Sequence, residues 1–424
     1  MSTRRRRESL DAAALERLLE VTRQLARPFD LTTLLTQVIE AGRAILHAER
    51  GTVFLYDARA HELYSQVATG AAPLRIPADR GIVGECAQTR QLINCPDCYA
   101  DPRFNREIDR QTGYRTRCLL AVPLVGHDDS LVGVLQVLNK EGGVFDAADE
   151  GIAAALAAQC AVALQRMRLM EELVAREKIE RELALARDIQ MRVLPKSVPR
   201  LLGYELAGWS RPADQTGGDI FDIIQLGGES VMLLLGDATG HGIAAALSVT
   251  QVRAMLRMGL RTGADLDSAF RHINDQLAAD LAANRFVTAF LGLLEPQQHR
   301  VSYHSGGQAP LLHYHAADGR CERLGASTMP LGLMPGLKLG AAGVCRLEPG
   351  DILALITDGV FEYENAAAEQ FGEARVEELL RGAGATPLPR LLEQIVEAVE
   401  RFAGGAPQHD DMTMLVVRRA RDRG

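Results

Sequence analysis

The sequence has few of the features that mark secreted, membrane-spanning or nucleic-acid-binding proteins. Its seven cysteines are an odd number scattered through 424 residues, which is typical of reduced thiols rather than a disulfide framework. No apolar run of 18 residues predicts a membrane span, and MSTRRRRESL lacks the apolar core and cleavage site of a signal peptide. Only 47 basic residues stand against 55 acidic ones, a net charge of -8 that disfavours a general grip on nucleic-acid phosphates. These absences predict a cytoplasmic protein that binds neither membrane nor nucleic acid.

The N-terminal part has helical segments on either side of short strands. Apolar residues recur with a helical period in LERLLEVTRQLA and, after the break at Pro28, in LTTLLTQVIEAGRAIL. Four strand candidates follow, TVFLYD, LYSQVA, CLLAVPLVG and LVGVLQVLN, and a long helix begins near Ala147. Helices that flank short antiparallel strands predict a small α+β domain of the sensor type.

Glycine and proline are absent from Val162 to Leu194, a segment dense in arginine, glutamate, leucine and alanine. Apolar residues near heptad spacing occur at Ile179, Leu183, Ala186 and Val193. Gln190 occupies a position of that register, Arg176 interrupts it upstream, and Pro195 ends the segment. The pattern predicts a short, imperfect coiled coil whose apolar stripe pairs two copies of the chain as a homodimer.

Beyond Pro195 the sequence changes to strands separated by glycine turns. The strand candidates are YELAGWS, FDIIQL, VMLLLGD, TAFLGLLE, RVSYHSG, DILALITDG and DMTMLVVRR. Helical patterns occupy IAAALSVTQVRAMLRMGL, LDSAFRHINDQLAADL and PRLLEQIVEAVERFA. This mixture predicts a second α+β domain with two sheets packed between helices.

Three of these apolar strands carry an aspartate at one tip. VMLLLGD ends in Asp237, DILALITD ends in Asp358, and the last strand starts directly after Asp410. If the last two strands are antiparallel, Asp358 and Asp410 share one edge of the sheet. The cluster GGDIFD adds Asp219 and Asp222 beside glycines that let the backbone approach a small ligand closely.

Carboxylates that converge without basic partners repel one another unless divalent cations lie among them. Ligands that are all oxygen select Mg²⁺ or Mn²⁺ rather than zinc. Two such ions activate a bridging water and clamp a phosphoryl group for in-line attack. The acidic strand tips therefore predict hydrolysis of a phosphate ester.

The motifs GGDIFD, GDATGHG, TDGVFE and DDMT follow one another between Gly217 and Thr413. In this order they resemble the SpoIIE/RsbU-like branch of the PPM metal-dependent protein phosphatases, as do RDIQMRVLP, NRFVTAFLGLL, SGGQAPLL and FGEARVEELL. The resemblance implies a β-sandwich flanked by helices, two Mn²⁺ or Mg²⁺ ions and no covalent phosphoenzyme. It also implies a phosphorylated anti-sigma-factor antagonist as the protein substrate.

The resemblance also assigns residues. Asp237 matches the metal-bridging aspartate, and the next ligand is the backbone carbonyl of Ala238. Asp358 and Asp410 match carboxylate ligands, and Asp219 matches the acid that binds the second metal or its waters. Asp411 and Asp222 are expected behind these ligands, with direct binding of a metal by Asp411 as the alternative. Many PPM enzymes have a histidine where this sequence has Thr239, and His241 follows two residues later. Capping or packing at the helix start is the expected role of His241, with general-acid catalysis as the alternative.

Residues 30–165 resemble a GAF domain, on TVFLYD, GIVGECAQTRQLINCPDCYADPRFN, LLAVPLVG and LVGVLQVLNK. The spaced pattern of cyclic-nucleotide-binding GAF domains is reproduced by Asn139, Lys140, Phe145, Asp149 and Glu150. The resemblance implies a small ligand, with a cyclic nucleotide as one possibility. A closed zinc site is not expected, because two-pair spacing is absent from Cys86, Cys95, Cys98 and Cys118.

These observations predict an α+β protein of two domains, a GAF antiparallel sheet with flanking helices joined by a long helix to a PPM-type β-sandwich. The expected parts are a basic tail and helix start at 1–20, the GAF domain at 21–165, the linker helix at 166–195 and the phosphatase at 196–420.

The predicted function is a sensor-regulated phosphoserine/phosphothreonine phosphatase. A diguanylate-cyclase-like enzyme is one alternative, because GGDIF is similar to GGDEF, although Ile220 replaces the acid. A non-catalytic scaffold is the other, although such a protein would be expected to lose metal aspartates.

Overall fold

A computed structural model describes residues 30–69, 74–282 and 284–421 of the chain. The expected basic tail and the helix over LERLLEVTRQLA lie outside the described residues. The chain divides into two compact units, with the boundary between Glu177 and Lys178.

The first unit is a six-stranded antiparallel sheet with helices on its faces. Its elements are α1 (Leu31–Leu46), β1 (Ala48–Asp57), β2 (Glu62–Ala68), β3 (Arg75–Pro77), α2 (Gly81–Thr89), β4 (Ile93–Cys95), α3 (Arg106–Thr112), β5 (Leu119–Val125) and β6 (Leu131–Lys140). The strand order is β3-β2-β1-β6-β5-β4. Helix α1 begins where the Asp30 side chain accepts a hydrogen bond from the Thr33 backbone N–H. The four predicted strands are confirmed, while the three-residue strands β3 and β4 were not predicted.

Helix α4 (Ala147–Val193) begins at the predicted residue and ends two residues before Pro195. Its first turns pack into the core of the first unit through Ala153, Leu156, Ala157, Cys160 and Leu164. By length and composition alone α4 could cross a membrane, because 18 of its residues have a mean hydropathy of 1.3, and 44% of that stretch is buried. The sequence analysis did not anticipate such a stretch, and the core packing of these residues accounts for their hydropathy.

The second unit contains two five-stranded antiparallel sheets. Their orders are β14-β11-β10-β9-β8 and β13-β12-β15-β16-β7. The elements are β7 (Tyr204–Arg211), β8 (Asp219–Gln225), β9 (Val231–Ala238), α5 (Ile243–Arg261), α6 (Leu266–Asp280), β10 (Val287–Glu295), β11 (Arg300–Gly306), β12 (Leu311–Tyr314), β13 (Cys321–Leu324), β14 (Gly343–Arg346), β15 (Ile352–Ile356), α7 (Asp358–Phe361), α8 (Glu373–Gly382), α9 (Leu388–Ala403) and β16 (Met412–Arg419). Two single-turn 3₁₀ helices lie at Gly227–Glu229 and Pro296–Gln298.

The two sheets pack face to face between two helical layers, as predicted. Along β9, Leu233 and Leu235 point into the core between the sheets. Their neighbours Met232 and Leu234 point toward α5 and α6. Helices α8 and α9 cover the outer face of the other sheet. Strands with both faces buried explain the unbroken apolar runs in this half of the sequence.

Candidate active site

The tip of β9 carries Asp237 directly opposite Asp219 of the neighbouring strand β8. After Ala238 the chain turns through Gly240 and Gly242, whose φ angles are 85° and 82°. Positive φ values are readily accessible only to glycine, which explains both glycines of GDATGHG. Strand β9 thus ends at a carboxylate, and α5 begins immediately after the turn.

The second sheet brings two more aspartates to one edge. Strands β15 and β16 are antiparallel, and the Thr357 backbone N–H donates to the Thr413 carbonyl at 3.0 Å. Asp358 therefore leaves β15 where Asp410 enters β16, and the predicted antiparallel juxtaposition is confirmed. Gly359 is required here, because a Cβ at this position would lie 2.1 Å from the Asp411 carbonyl oxygen.

The aspartates differ in burial from the base of the site to its mouth. Asp219 and Asp411 are buried, Asp237 is half-buried, and Asp358 and Asp410 are exposed. Burial, followed by repulsion from Asp358 and Asp410, raises the pKa of Asp237 to about 8. Burial and the charges of Asp237 and Asp411 raise the pKa of Asp219 well above its usual value. Partial desolvation and the charge of Asp410 raise the pKa of Asp358.

Asp411 fastens the GGD segment to the second sheet. Its Oδ1 accepts the Ala213 N–H at 2.7 Å, and its Oδ2 accepts the N–H groups of Gly218 and Asp219. A Cβ on Gly217 would lie 2.7 Å from the same carboxylate, so glycine permits the approach. Burial raises the pKa of Asp411, while these backbone hydrogen bonds act in the opposite direction. Asp411 therefore supports the loop that presents Asp219.

A threonine links Asp219 to the second sheet and was not singled out from the sequence. The Thr357 hydroxyl accepts the Thr413 N–H at 2.9 Å and donates to Asp219 Oδ2 at 2.8 Å. Thr357 and Thr413 are fully buried. Because Thr357 directly precedes Asp358 in TDGVFE, the motif contains the signal for this contact.

Asp222, the second aspartate of GGDIFD, lies apart from the others. Its fully buried carboxylate pairs with Arg253 Nε at 2.7 Å and Arg257 Nε at 2.6 Å. The position is three residues after Asp219 along a strand, so the two side chains point to opposite faces of the sheet. Asp222 thus joins β8 to helix α5.

The donor set fits hard divalent cations. Within the described parts of the chain, no lysine or arginine forms an ion pair with Asp219, Asp237, Asp358 or Asp410. The Ala238 carbonyl oxygen faces the Gly218 Cα, where a Cβ would lie 3.0 Å away. Carboxylate and carbonyl oxygens are the ligands that Mg²⁺ and Mn²⁺ prefer.

Thr239 and His241 have different surroundings in the turn. The Thr239 hydroxyl accepts the Phe286 N–H at 3.1 Å, so Thr239 closes the turn against the start of β10. The His241 side chain is 88% exposed, with Nδ1 3.4 Å from Asp214 Oδ2. Gly242, not His241, is the N-cap residue of α5. The expected capping or packing role of His241 is therefore wrong, because its ring neither caps the helix nor enters the core.

Comparisons with known proteins match a different family to each of the two units. Residues 227–420 match the family model described as Stage II sporulation protein E (SpoIIE), and residues 30–164 match the GAF domain. The chain joins a GAF domain to a SpoIIE-type phosphatase domain. The family assignment favours a phosphatase over the diguanylate cyclase and the scaffold.

Three relatives illustrate the extent of the similarity. The SiaA-PP2C domain of Pseudomonas aeruginosa is 23% identical, covers 57% of this chain and 98% of that chain, and shares the fold with a TM-score of 0.51. The RsbU and RsbW domains of a Mycobacterium tuberculosis protein are 26% identical and cover 54% of this chain and 63% of that chain, with a TM-score of 0.45. A cGMP-specific 3',5'-cyclic phosphodiesterase of Drosophila pseudoobscura pseudoobscura is 31% identical over 184 residues. That match covers 39% of this chain but only 17% of the phosphodiesterase.

The five residues of the cyclic-nucleotide pattern hold the GAF domain together. The Asn139 side chain accepts the Arg117 N–H at 2.6 Å, and Lys140 forms an ion pair with Asp149. Phe145 lies in the core, and Glu150 accepts a hydrogen bond from Asn94 at 2.8 Å. None of the five lines the cavity of this domain. Their role in ligand binding stays a prediction.

The GAF cavity lies between the sheet and helices α2 and α3 and has a volume of 430 Å³. Apolar side chains such as Phe54, Ile76 and Phe104 line it, together with the cations Arg50 and Arg103. This volume and this combination of apolar walls with a few charges are typical of small-molecule sites.

The four GAF cysteines Cys86, Cys95, Cys98 and Cys118 form no disulfide among the described residues. All seven cysteines of the chain are unpaired. Burial raises the pKa of Cys86 to about 12, and burial also raises the pKa of Cys95 and Cys98. Burial therefore disfavours the nucleophilic thiolate form of these cysteines.

Two other residues near the active site were missed by the sequence analysis. The Gln190 side chain, read there only as a coiled-coil position, donates to the Gly217 carbonyl at 2.6 Å and accepts the Gly217 N–H at 3.0 Å. The end of α4 thereby contacts the loop that carries Asp219. Glu362, in TDGVFE, lies near Asp358 and Asp410, and partial desolvation followed by these charges raises its pKa.

Proposed function

We propose that the SpoIIE-type domain hydrolyses phosphoserine and phosphothreonine in proteins with two Mn²⁺ or Mg²⁺ ions bound. The supporting observation is the convergence of aspartates from two packed sheets without a basic partner. The residues that would hold the ions are Asp237, the Ala238 carbonyl, Asp358 and Asp410, with Asp219 nearby.

When bound, the ions would activate a water and neutralise charge on the phosphoryl group. The chain's own residues orient this chemistry. Asp411 and Thr357 fix Asp219 through backbone and hydroxyl hydrogen bonds, so its carboxylate keeps one position. Asp358 and Asp410 are exposed, which gives a phosphorylated side chain of another protein access to the site.

We propose a phosphorylated anti-sigma-factor antagonist of a partner-switching system as the substrate. Two observations support this choice of substrate. The domain is of the SpoIIE type, and Asp358 and Asp410 are exposed, so a phosphorylated residue on the surface of another protein can reach them. The expected signature is faster hydrolysis of the phosphorylated antagonist than of p-nitrophenyl phosphate at equal concentration. Equal rates on any phosphorylated peptide would contradict this choice of substrate.

We expect phosphate release to require added Mn²⁺ or Mg²⁺ and to stop when EDTA is in excess. The reason is that oxygen ligands at a solvent-exposed mouth exchange hard cations readily. The measurement is hydrolysis of p-nitrophenyl phosphate with and without chelator, with excess Mn²⁺ added back as the control. Full turnover in excess EDTA would overturn the metal assignment.

The GAF cavity is the proposed site of a small regulatory ligand. Its lining combines apolar side chains with charges of both signs, and the similarity to a phosphodiesterase named for cGMP makes cyclic GMP the first probe. Helix α4 packs into the core of the first unit, and its Gln190 contacts the Gly217 loop of the second unit. The helix is also the covalent connection between the two units. A ligand that prefers one arrangement of the GAF domain can bias the phosphatase through this helix.

We predict that cyclic GMP or cyclic AMP binds the chain and changes the phosphatase rate, and that Ile76→Trp abolishes both effects. Ile76 lies on the edge strand β3 and lines the cavity, so a larger ring there occupies ligand volume. Calorimetry measures binding, and Val144→Trp is the control because Val144 is 51% exposed and outside the cavity. Binding of neither nucleotide would remove cyclic nucleotides as candidates.

We also propose that α4 pairs two copies of the chain. Large apolar side chains are more than half exposed along its second part, at Leu173, Val174, Ile179, Leu185 and Ile189. These five side chains are spread around the helix, but Ile179 belongs to the predicted apolar stripe, and burying that stripe against a second helix removes apolar area from water.

Light scattering at micromolar concentration should therefore give the mass of a dimer. The variant Ile179→Glu should shift the mass toward the monomer, because it places a charge in the stripe. Leu202→Glu is the matched control, since Leu202 is 89% exposed and outside the helix. A monomeric native chain would refute the proposed pairing.

A further inference from the structure

A second group of possible metal ligands lies at the opposite end of β15 from the aspartates of the active site. Asp351 precedes the strand and Asp358 follows it, so the two positions are roughly 20 Å apart. Asp351 lies beside two histidines of the hairpin β12–β13, His313 and His315. One potential ligand atom from each of the three residues lies within 4.8 Å of the other two.

The spacing of these atoms fits a tetrahedral zinc site. His313 Nε2 is 3.4 Å from Asp351 Oδ2, and His315 Nδ1 is 3.7 Å from the same oxygen. Ligands about 2.0–2.1 Å from a tetrahedral Zn²⁺ are separated from each other by about 3.4 Å. The two rings also converge, with their centroids 4.0 Å apart.

His313 supplies the observation that points to a ligand. It is 4% exposed, and its Nε2 has no hydrogen-bond partner although it faces the Asp351 carboxylate. Burial lowers the pKa of His313, which keeps the ring neutral and a nitrogen lone pair available. A buried polar nitrogen without a partner is costly, and a cation between it and the carboxylate would satisfy both groups.

The other polar atoms of the three residues have partners that orient them toward a common point. Glu322 Oε2 is 3.2 Å from His315 Nε2, which matches the carboxylate–histidine–metal arrangement. Arg320 Nη2 lies 3.2 Å from the same nitrogen and 3.5 Å from the Glu322 carboxylate, so Glu322 can accept from both. His313 Nδ1 lies 3.4 Å from Cys345 Sγ, and Asp351 Oδ1 accepts the Ala316 N–H at 2.8 Å. Asp351 Oδ2, which faces both rings, also accepts the Glu348 N–H at 3.0 Å, a bond that fixes the orientation of the carboxylate.

We propose that His313, His315 and Asp351 bind Zn²⁺, with water at the fourth position. Two imidazoles and one carboxylate favour zinc over Mg²⁺, which prefers oxygen ligands. His315 is 22% exposed and provides the open side for a water. The ion ties hairpin β12–β13 to the start of β15, which leads directly to Asp358. This site is separate from the proposed Mn²⁺ or Mg²⁺ site and does not depend on it.

Titration of the metal-free full chain with Co²⁺ and Zn²⁺ in excess Mg²⁺ tests the proposal. Mg²⁺ occupies oxygen sites, and four-coordinate Co²⁺ gives intense visible absorption bands. We expect the native chain to bind one equivalent of Co²⁺ or Zn²⁺. The control His272→Ala, which removes an exposed histidine, and the active-site variant Asp237→Asn should each bind the same amount. His315→Ala should weaken binding at least about 100-fold, and Glu322→Gln about 10-fold, as for a group that orients a ligand.

A thermal melt gives a second readout that does not depend on activity. Zn²⁺ should raise the Tm of the native chain and of His272→Ala, but not of His315→Ala. Because His315 is partly exposed, its replacement should leave the fold intact, and circular dichroism checks this. Absence of tight binding by the native chain, unchanged binding by His315→Ala, or loss of the equivalent in Asp237→Asn would each overturn the proposal.

Discussion

Replacing Asp237 by asparagine should reduce phosphate release roughly 100- to 1000-fold, a loss typical of removing a group that stabilises the reacting charge. Asp237 faces Asp219 across paired strands, and Asp358 and Asp410 also act on its charge. The substitution removes the central negative charge of the proposed metal site while keeping the size of the side chain. We expect normal circular dichroism and a lower affinity for Mn²⁺.

The metal-free variant should also melt at a higher temperature than the metal-free native chain at pH 9. At that pH Asp237 is ionised, because its pKa is about 8, and asparagine removes the resulting repulsion. Asp280→Asn is the matched control, since Asp280 is exposed at the end of α6. A near-native rate in Asp237→Asn would show that the assignment of this residue is wrong.

Gly359→Ala should also abolish most activity, and it should lower the free energy of unfolding. The added methyl group would lie 2.1 Å from the Asp411 carbonyl oxygen, a backbone atom that no side-chain rotation can move away. The tips of β15 and β16 must then separate, which displaces Asp358 from Asp410. Phosphate release and urea unfolding measure the two effects.

Gly382→Ala is the control for that experiment. Gly382 is the last residue of α8, and a Cβ there meets no atom within 4 Å. Alanine is a better helix former than glycine, so this variant should keep full activity and gain a little stability. Equal phosphate release and equal unfolding free energies in Gly359→Ala and Gly382→Ala would contradict the close approach of the strand tips.

The ends of the apolar strands made the positions of Asp237, Asp358 and Asp410 at the sheet edges predictable. The run VMLLL is apolar at every position because β9 is covered on both faces, and the end of the strand is marked by Asp237 and the glycine turn. Side chains alternate between the two faces of a sheet along a strand, so Asp219 and Asp222, three positions apart, point to opposite faces. The sequence could have indicated that these two aspartates serve different surroundings.

Other parts of the molecule carried no usable local signal. Strands β12, β13 and β14 have four residues each, too few for an alternating pattern to emerge. The contact of Gln190 with Gly217 joins residues 27 positions apart, and the side chain of Gln190 is buried by tertiary structure alone. The cluster of His313, His315 and Asp351 depends on pairing of β12 with β15, which the sequence does not specify.

The most direct test of the central claim is removal of phosphate from a protein substrate. Purified full-length chain is incubated with a serine-phosphorylated anti-sigma-factor antagonist, and intact-mass spectrometry follows the phosphorylated and unphosphorylated forms. The proposed function predicts complete conversion with Mn²⁺, and none with excess EDTA or with Asp237→Asn. Persistence of the phosphorylated form with Mn²⁺ present, or conversion that is unaffected by EDTA, would contradict it.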